Sequence, residues 1–209
     1  MSGRIREVEA FFDCSCVWAY LAFAHIRRRF AGASGVRVRW RPVLAQQVFA
    51  AVNPSAGATQ SEAKLRQVGT DLAAWARYLG LPLTPSAAVA DSTTCMVACI
   101  AADRWGKLEA FAWAMLDLAW AQGRDIADGN VLRAAWQACG LPRSAFDEAI
   151  AWPAFREELQ ANGRELMARG GFGVPTFFLG DDMYFGNDAV PLLQQALELR
   201  QKLDHRAEP

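Results

Sequence analysis

The chain has 209 residues, of which 53% are hydrophobic and 21% are charged, and its 22 basic residues balance 22 acidic ones. This composition excludes an intrinsically disordered chain and provides enough apolar side chains for a large core. Because the formal net charge is zero, the sequence has no global electrostatic reason to bind nucleic acid or an anionic membrane, and we expect neither partner.

The start of the chain is polar and has no apolar signal core. The longest apolar run, from Cys95 to Ala102, is far shorter than the roughly 18–20 residues that span a bilayer. Five cysteines are an odd number for a disulfide framework, and His25 and His205 lie too far apart in sequence to suggest a zinc site. We therefore expect a reduced, cytoplasmic protein and predict no metal site.

The chain begins with a predicted strand–helix–strand unit. A short apolar run over residues 8–13 is typical of a strand, and apolar residues at helical spacing follow from Val17 to Phe30. The next segment alternates between apolar residues and Arg37, Arg39 and Arg41, and it ends at Pro42. We interpret it as an outer strand with a solvated arginine face rather than as a phosphate site. A helix between two strands requires a crossover, which predicts parallel pairing.

The middle of the chain is alanine-rich and helical in pattern. Three stretches place apolar residues at i, i+3, i+4 and i+7, and these lie within 72–79, 108–115 and 131–138. The tripeptide Gly-Leu-Pro occurs twice, at 80–82 and 140–142, and each copy predicts a helix end.

Strand patterns return after residue 170. Residues 176–179 predict a strand, 183–185 pair back as a hairpin, and the last helix starts at Gly186-Asn-Asp188. The whole order, β-α-β, a helical block and β-β-α, predicts a mixed sheet interrupted by an inserted helical lobe.

Cys16 is a candidate reactive residue because it lies between the first strand and the first helix. A helix N-terminus stabilises a thiolate and can lower a cysteine pKa well below about 8.5. A buried, unreactive cysteine is an equal alternative at this point. Cys14 and Cys16 could be joined by a disulfide only with strain. We interpret Cys95 and Cys99, four residues apart on an apolar helix, as core packing.

Two further segments are weak candidates when each is taken singly. The Val174–Pro175 bond precedes a strand, and sequence alone favours the trans form. The Asn187-Asp188 pair is typical of a helix N-cap, and its carboxylate could also accept an ammonium group.

Together these segments resemble the 2-hydroxychromene-2-carboxylate isomerases, bacterial relatives of the kappa-class glutathione transferases in the DsbA-like branch of thioredoxin folds. The family start, Phe-Asp-Phe-x-Ser-Pro-Tyr-Ser-Tyr-Leu-Ala, corresponds to Phe12-Asp-Cys-Ser-Cys-Val-Trp-Ala-Tyr-Leu-Ala22. The family end corresponds to Phe-Gly-Val-Pro-Thr-Phe at 172–177 and to Phe185-Gly-Asn-Asp188. The resemblance implies an α/β fold in which a thioredoxin-like domain (1–54 and 166–209) carries a large all-helical insertion (55–165), and it implies a homodimer.

The resemblance also implies a glutathione site and a small aromatic or conjugated substrate. In it, Val174–Pro175 is cis, the Val174 main chain lies beside the cysteine of glutathione, and Asp188 pairs with the γ-glutamyl ammonium group. The positions that match the family's glutathione-binding residues are Asn53, Lys64, Val174, Pro175, Asn187 and Asp188. Of these, Lys64 suits the glycyl carboxylate.

Cys16 is the predicted catalytic residue, and it marks the main departure from the family. It replaces the serine whose hydroxyl stabilises the glutathione thiolate, and a thiol is a weaker donor. Ala19 stands where oxidoreductase relatives have their resolving cysteine, which excludes a Cys-x-x-Cys cycle. The leading hypothesis is a glutathione-dependent isomerase. The alternatives are a glutathione-linked thiol oxidoreductase or transferase with Cys16 as nucleophile, and a non-catalytic glutathione-binding protein.

Overall fold

A computed structural model describes residues 5–30, 35–52, 61–84 and 91–207 of the chain. The four strands are β1 (Arg6–Phe12), β2 (Val36–Pro42), β3 (Thr176–Leu179) and β4 (Asp182–Phe185). The α-helices are α1 (Val17–Phe30), α2 (Ala45–Val52), α3 (Glu62–Leu79), α4 (Thr93–Ala102), α5 (Leu108–Trp120), α6 (Gly129–Ala138), α7 (Ala145–Ala151), α8 (Pro153–Ala168) and α9 (Val190–Ala207). Within these described ranges, no helix is both long and apolar enough to cross a membrane.

The strands form one mixed sheet in the order β2-β1-β3-β4. β1 pairs in parallel with β2 and antiparallel with β3, and β3 pairs with β4 as a hairpin. The predicted parallel unit, the outer position of β2 and the hairpin are therefore confirmed. Seven of the nine α-helices of the described chain, α2 to α8, lie between β2 and β3, so the predicted helical insertion is confirmed as well. The proposed domain boundaries stay a prediction, and the one at residue 166 falls inside α8.

Local sequence signals explain where the helices begin and end. The Ser61 hydroxyl caps α3 by accepting from the Lys64 N–H, and Gly80 closes the same helix in the left-handed conformation at φ 59°. Gly140 also has a positive φ after α6. Both Gly-Leu-Pro segments therefore end helices, as predicted.

The buried faces of the helices follow the predicted periodicity in α5 and shift in α6. The whole predicted stripe of α5 is buried. In α6, Val131 and Ala135 are buried as predicted, whereas Ala134 and Ala138 are exposed. The reason is that the larger side chains of Leu132 and Trp136 occupy the core.

The predicted solvated face of β2 is wrong at one position. Arg37 and Arg39 are exposed, but Arg41 is only 7% exposed. Its guanidinium donates to the Glu9 carboxylate on β1 (2.7 Å) and to Asn162 Oδ1 on α8 (2.9 Å). Burial of this charge is stable because the planar guanidinium has acceptors on two neighbouring elements.

We predict that Arg41→Met lowers the free energy of unfolding by about 3 kcal/mol, because it removes a buried donor from both Glu9 and Asn162 and leaves Glu9 with Arg169 as its remaining close partner. Urea denaturation of the whole chain measures this. Arg39→Met on the same strand is the matched control and should cost less than about 1 kcal/mol, since Arg39 is mainly solvated. Equal losses for the two variants would contradict a structural role for the Arg41 contacts.

Candidate active site

The Asp13 carboxylate organises the end of β1. It accepts hydrogen bonds from the backbone N–H of Ser15 (2.8 Å), from the backbone N–H of Ala45 (2.8 Å) and from the Ser92 hydroxyl (3.1 Å). These donors belong to three separate segments, the β1–α1 loop, the start of α2 and the start of α4. Burial raises the pKa of Asp13, although the hydrogen bonds act in the opposite direction. Asp13 was not among the site residues predicted from the sequence, although an acidic residue directly after a buried strand could have indicated it.

Cys16 lies immediately before α1, where the sequence placed it. Its N–H donates to the Asp13 carbonyl (3.0 Å), and its own carbonyl accepts from the Ala19 N–H (3.0 Å) as the first turn of α1 begins. The side chain is half-buried, and its Sγ lies 3.5 Å from the Val174 carbonyl oxygen. Two of the predicted site residues, 158 positions apart in sequence, are therefore in contact.

The Cys16 thiol is protonated at neutral pH. Burial raises its pKa to about 11, and the negative charge of Asp13 acts in the same direction. The N–H groups of Ala19 and Trp18 at the start of α1 lower the pKa, but their effect is smaller. The helix N-terminus therefore does not lower the pKa of Cys16 overall, because removing a thiolate from water costs more free energy than the helix terminus provides. The thiol is thus a hydrogen-bond donor, and Val174 is its acceptor.

The Val174–Pro175 bond is cis, as the resemblance implied and contrary to the expectation from sequence statistics alone. The strand ladder with β1 begins at Thr176, so the Val174 main chain lies just beyond it. The Pro175 carbonyl accepts from the Gly186 N–H (2.9 Å). This bond connects the Cys16–Val174 contact to the segment that carries Asp188.

An open cleft of about 370 Å³ lies beside Cys16. Its wall combines the β1–α1 loop with the starts of α2 and α4 and the end of α5. The lining residues include Asp13, Ser15, Cys16, Ala45, Phe49 and Trp120. Trp120 also donates its indole N–H to the Cys14 carbonyl (2.9 Å), which fixes the loop from the helical side. A small molecule can therefore reach Cys16 from solvent.

Asn187 has a structural partner that the sequence did not suggest. It is buried, and its Oδ1 lies 3.2 Å from Nδ1 of His25 on α1. Asn187 is the first residue of a short 3-10 turn before α9, and the N-cap of that turn is Gly186, so the N-cap interpretation is wrong for Asn187. Burial lowers the pKa of His25, which leaves the imidazole neutral. Within the described chain, His25 Nε2 and Asn187 Nδ2 lack hydrogen-bond partners.

Asp188 is exposed, and Gly186, two residues earlier in the chain, lies close to its carboxylate. Gly186 has a φ of 90°, and a Cβ at this position would lie 2.5 Å from an Asp188 carboxylate oxygen. Only glycine combines this backbone conformation with so close an approach. The Asp188 carboxylate therefore lies beside the turn whose Gly186 N–H donates to the Pro175 carbonyl.

Of the two remaining predicted residues, the structure describes only Lys64, which does not line the cleft. Asn53 lies outside the described residues. Lys64 is exposed in the first turn of α3, and among the described residues the structure gives its side chain no contact with Cys16 or Val174. The binding roles of both residues stay predictions.

Three exposed aromatic side chains, Phe49, Phe172 and Phe185, form what we call the aromatic rim. A Cβ on Gly173 would lie 2.9 Å from the Phe49 ring and 3.2 Å from the Phe185 ring, so both rings lie against the main chain just before Val174. The ring centroids of Phe172 and Phe185 are 4.4 Å apart. An apolar surface therefore adjoins the predicted glutathione-binding main chain.

Comparison with protein families decides where this fold belongs. The family model of the DSBA-like thioredoxin domain matches residues 7–198, which is nearly the whole chain. The chain belongs to the DSBA-like thioredoxin domain family. Its sheet order and cis-proline turn thus come with the fold that the resemblance implied.

Within the known members of this DSBA-like family, the chain is similar to 2-hydroxychromene-2-carboxylate isomerases. The enzyme of Sphingobium xenophagum is 28% identical over 194 residues, which cover 92% of this chain and 98% of the relative. The enzyme of Pseudomonas putida is 26% identical over 191 residues, covering 91% and 93%. The predicted resemblance to these isomerases is confirmed.

Solved structures show the same relationship. The structure of a 2-hydroxychromene-2-carboxylate isomerase matches with a TM-score of 0.86 at 25% identity, covering 97% of this chain and all (100%) of the other. The cytosolic disulfide reductase DsbM from Pseudomonas aeruginosa matches with a TM-score of 0.65 at 21% identity, covering 92% and 99%. The second match shows the shared fold. Known isomerases and disulfide oxidoreductases therefore share the DSBA-like architecture of this chain.

We predict that Cys16 reacts slowly with iodoacetamide at neutral pH. A pKa of about 11 leaves about a hundredfold less thiolate than an unperturbed cysteine has, since each pKa unit is a factor of ten. Peptide mass spectrometry across a pH series measures the rate, which should keep rising up to about pH 11. A plateau below pH 8 would contradict the protonated thiol.

Proposed function

We propose that this DSBA-like protein is a glutathione-dependent isomerase that acts on conjugated substrates of the 2-hydroxychromene-2-carboxylate type. The proposal rests on the position of the Cys16 thiol, which lies at the start of α1, 3.5 Å from the Val174 carbonyl and on the wall of an open cleft. The similarity to enzymes of that name over 92% of the chain supports the same class of reaction.

The residues around Cys16 fit a bound tripeptide. The Val174 main chain lies beyond the ladder of β3, where an extended peptide can pair with it as an added strand. The exposed Asp188 carboxylate, which lies close to Gly186, suits the ammonium group of a γ-glutamyl residue. We propose Asn187 as a positioning residue, since its contact with His25 fixes the turn that carries Asp188.

Bound glutathione would supply a thiolate that adds reversibly to a conjugated carbon, which allows rotation about the former double bond. The protein's part is to stabilise negative charge on that sulfur. Cys16 would redirect its S–H from the Val174 carbonyl to the sulfur, and the free N–H groups at the start of α1 would add to the favourable potential. The cleft wall would hold the substrate beside it, with the aromatic rim against its conjugated face.

We predict that Cys16→Ser raises kcat/KM for 2-hydroxychromene-2-carboxylate about 2- to 10-fold. A hydroxyl is the stronger donor, and a gain of about 0.5–1.5 kcal/mol from one hydrogen bond corresponds to that range. The measurement is the change in substrate absorbance with glutathione present. Cys16→Ala, which has no donor, should fall below the wild-type protein.

Cys139→Ser is the matched control, because Cys139 is a half-buried cysteine at the end of α6 and outside the site. Its kcat/KM should equal that of the wild type. If Cys16→Ser loses nearly all activity, Cys16 acts as a nucleophile and the isomerase proposal is wrong.

A glutathione-linked thiol oxidoreductase is the second candidate. The observation in its favour is the half-buried Cys16 at the start of α1, the place of the attacking cysteine in related oxidoreductases. The raised pKa of Cys16 weakens this candidate, because exchange requires a thiolate. Mass spectrometry after incubation with oxidised glutathione separates the two: a single glutathione adduct on Cys16 would favour the oxidoreductase.

We predict that Asp188→Asn weakens glutathione binding about tenfold in calorimetry, because one charge-assisted hydrogen bond is lost. Asp181→Asn in the β3–β4 turn is the control, and it removes an equally exposed carboxylate without changing the affinity. Equal affinities for Asp188→Asn and the wild type would remove Asp188 from the proposed site. Tight binding without turnover in any thiol assay would instead favour a non-catalytic binding protein.

A cytoplasmic location and a homodimer remain predictions that accompany this proposal. Size-exclusion chromatography with light scattering measures the oligomeric state directly.

A further inference from the structure

A cluster of three cysteines lies behind the candidate site and takes no part in the proposed reaction. Cys14 comes from the β1–α1 loop, and Cys95 and Cys99 lie on successive turns of α4. All three are buried, and their sulfur atoms lie within 4.8 Å of one another. We call this set the thiol cluster. We propose that the thiol cluster is a binding site for one soft, monovalent metal ion, Cu(I), and this proposal is independent of the proposed isomerase function.

The spacing of the sulfur atoms suits a three-coordinate ion. A metal at the centre of three sulfurs, with bonds of about 2.3 Å, requires sulfur–sulfur distances of about 4.0 Å. The sulfurs are at most 4.8 Å apart, so closing on an ion needs a shift below about 1 Å. Residues four apart on one helix share a face, which places Cys95 and Cys99 side by side for Cys14 to meet.

The donor set selects the metal. All three donors are sulfur, and thiolates favour Cu(I), zinc and iron–sulfur clusters over harder ions. Structural zinc almost always takes four ligands, whereas the described residues of the thiol cluster provide three. Another soft atom lies nearby, since the Cys14 N–H donates to the Met96 thioether at 3.3 Å. Three buried cysteine sulfurs therefore fit Cu(I) best.

The charge of the loaded site is acceptable for a buried position. Binding forms three Cu–S bonds and releases two thiol protons to solvent, which leaves one Cu(I), two thiolates and one thiol with a net charge of −1. A third thiolate would add a second negative charge near the buried Asp13 carboxylate, at high desolvation cost.

An ion can approach from the cleft. Cys14 is flanked in sequence by Asp13 and Ser15, which both line the cleft beside Cys16. Because all three sulfurs are buried, an ion would reach them only when the hydrogen bonds that hold this loop break transiently. Loading is therefore measured after incubation to a constant signal rather than on mixing.

The test is anaerobic titration of the full-length reduced protein with Cu(I) against bicinchoninate, a coloured Cu(I) chelator. We expect one equivalent to be withheld from the chelator, with thiolate-to-copper charge-transfer absorption in the ultraviolet. Each of Cys14→Ala, Cys95→Ala and Cys99→Ala should weaken binding by at least about tenfold. Cys139→Ala is the matched control and should bind like the wild type.

A second measurement needs no variant and covers any substitution that fails to fold. Sulfur ligands around copper are counted by X-ray absorption on the loaded wild-type protein, where three at about 2.3 Å are expected. Failure to withhold one equivalent, loss of binding in Cys16→Ser alone, or zinc retained in preference to Cu(I) would each overturn the proposal. A disulfide formed within the thiol cluster by oxidised glutathione would also overturn the proposal, provided that the reduced protein takes up no copper.

Discussion

The buried Asp13 carboxylate is the interaction on which the arrangement of the site depends. It accepts from Ser15, Ala45 and Ser92, which belong to the loop before α1, to α2 and to α4. A buried carboxylate is stable only while such donors are in place, so each segment is held where its donor reaches the same group. The loop that carries Cys14 and Cys16 is therefore fixed from both the sheet side and the helical side.

Much of the fold could be predicted from sequence because its signals are local. Periodicity and turn residues gave α1 over Val17–Phe30, the strand at Thr176–Leu179 and the helix end at Gly80. The errors come from contacts between distant residues. Arg41 is buried because its hydrogen-bond acceptors lie on β1 and α8, and the Asn187 side chain contacts His25 on α1. No rule based on alternation or residue spacing identifies those distant partners.

The site shows the same division between local and distant information. The placement of Cys16 at a helix start and the importance of Val174–Pro175 were readable from motifs, yet the protonation of Cys16 was not. A helix terminus alone favours the thiolate, and only the packing around the sulfur reverses that preference. The same packing keeps the proton on the thiol, so that Cys16 is a hydrogen-bond donor to the Val174 carbonyl.

The aromatic rim has a consequence for the energetics of ligand binding. Phe49, Phe172 and Phe185 expose 45%, 44% and 39% of their surface around Gly173, so water covers apolar rings there in the free protein. A flat conjugated molecule lying against these rings displaces that water, and removing apolar area from water lowers the heat capacity of the system. The enthalpy of substrate binding should therefore become steadily more exothermic on warming, whereas contacts confined to the polar Asp188 end would change it little.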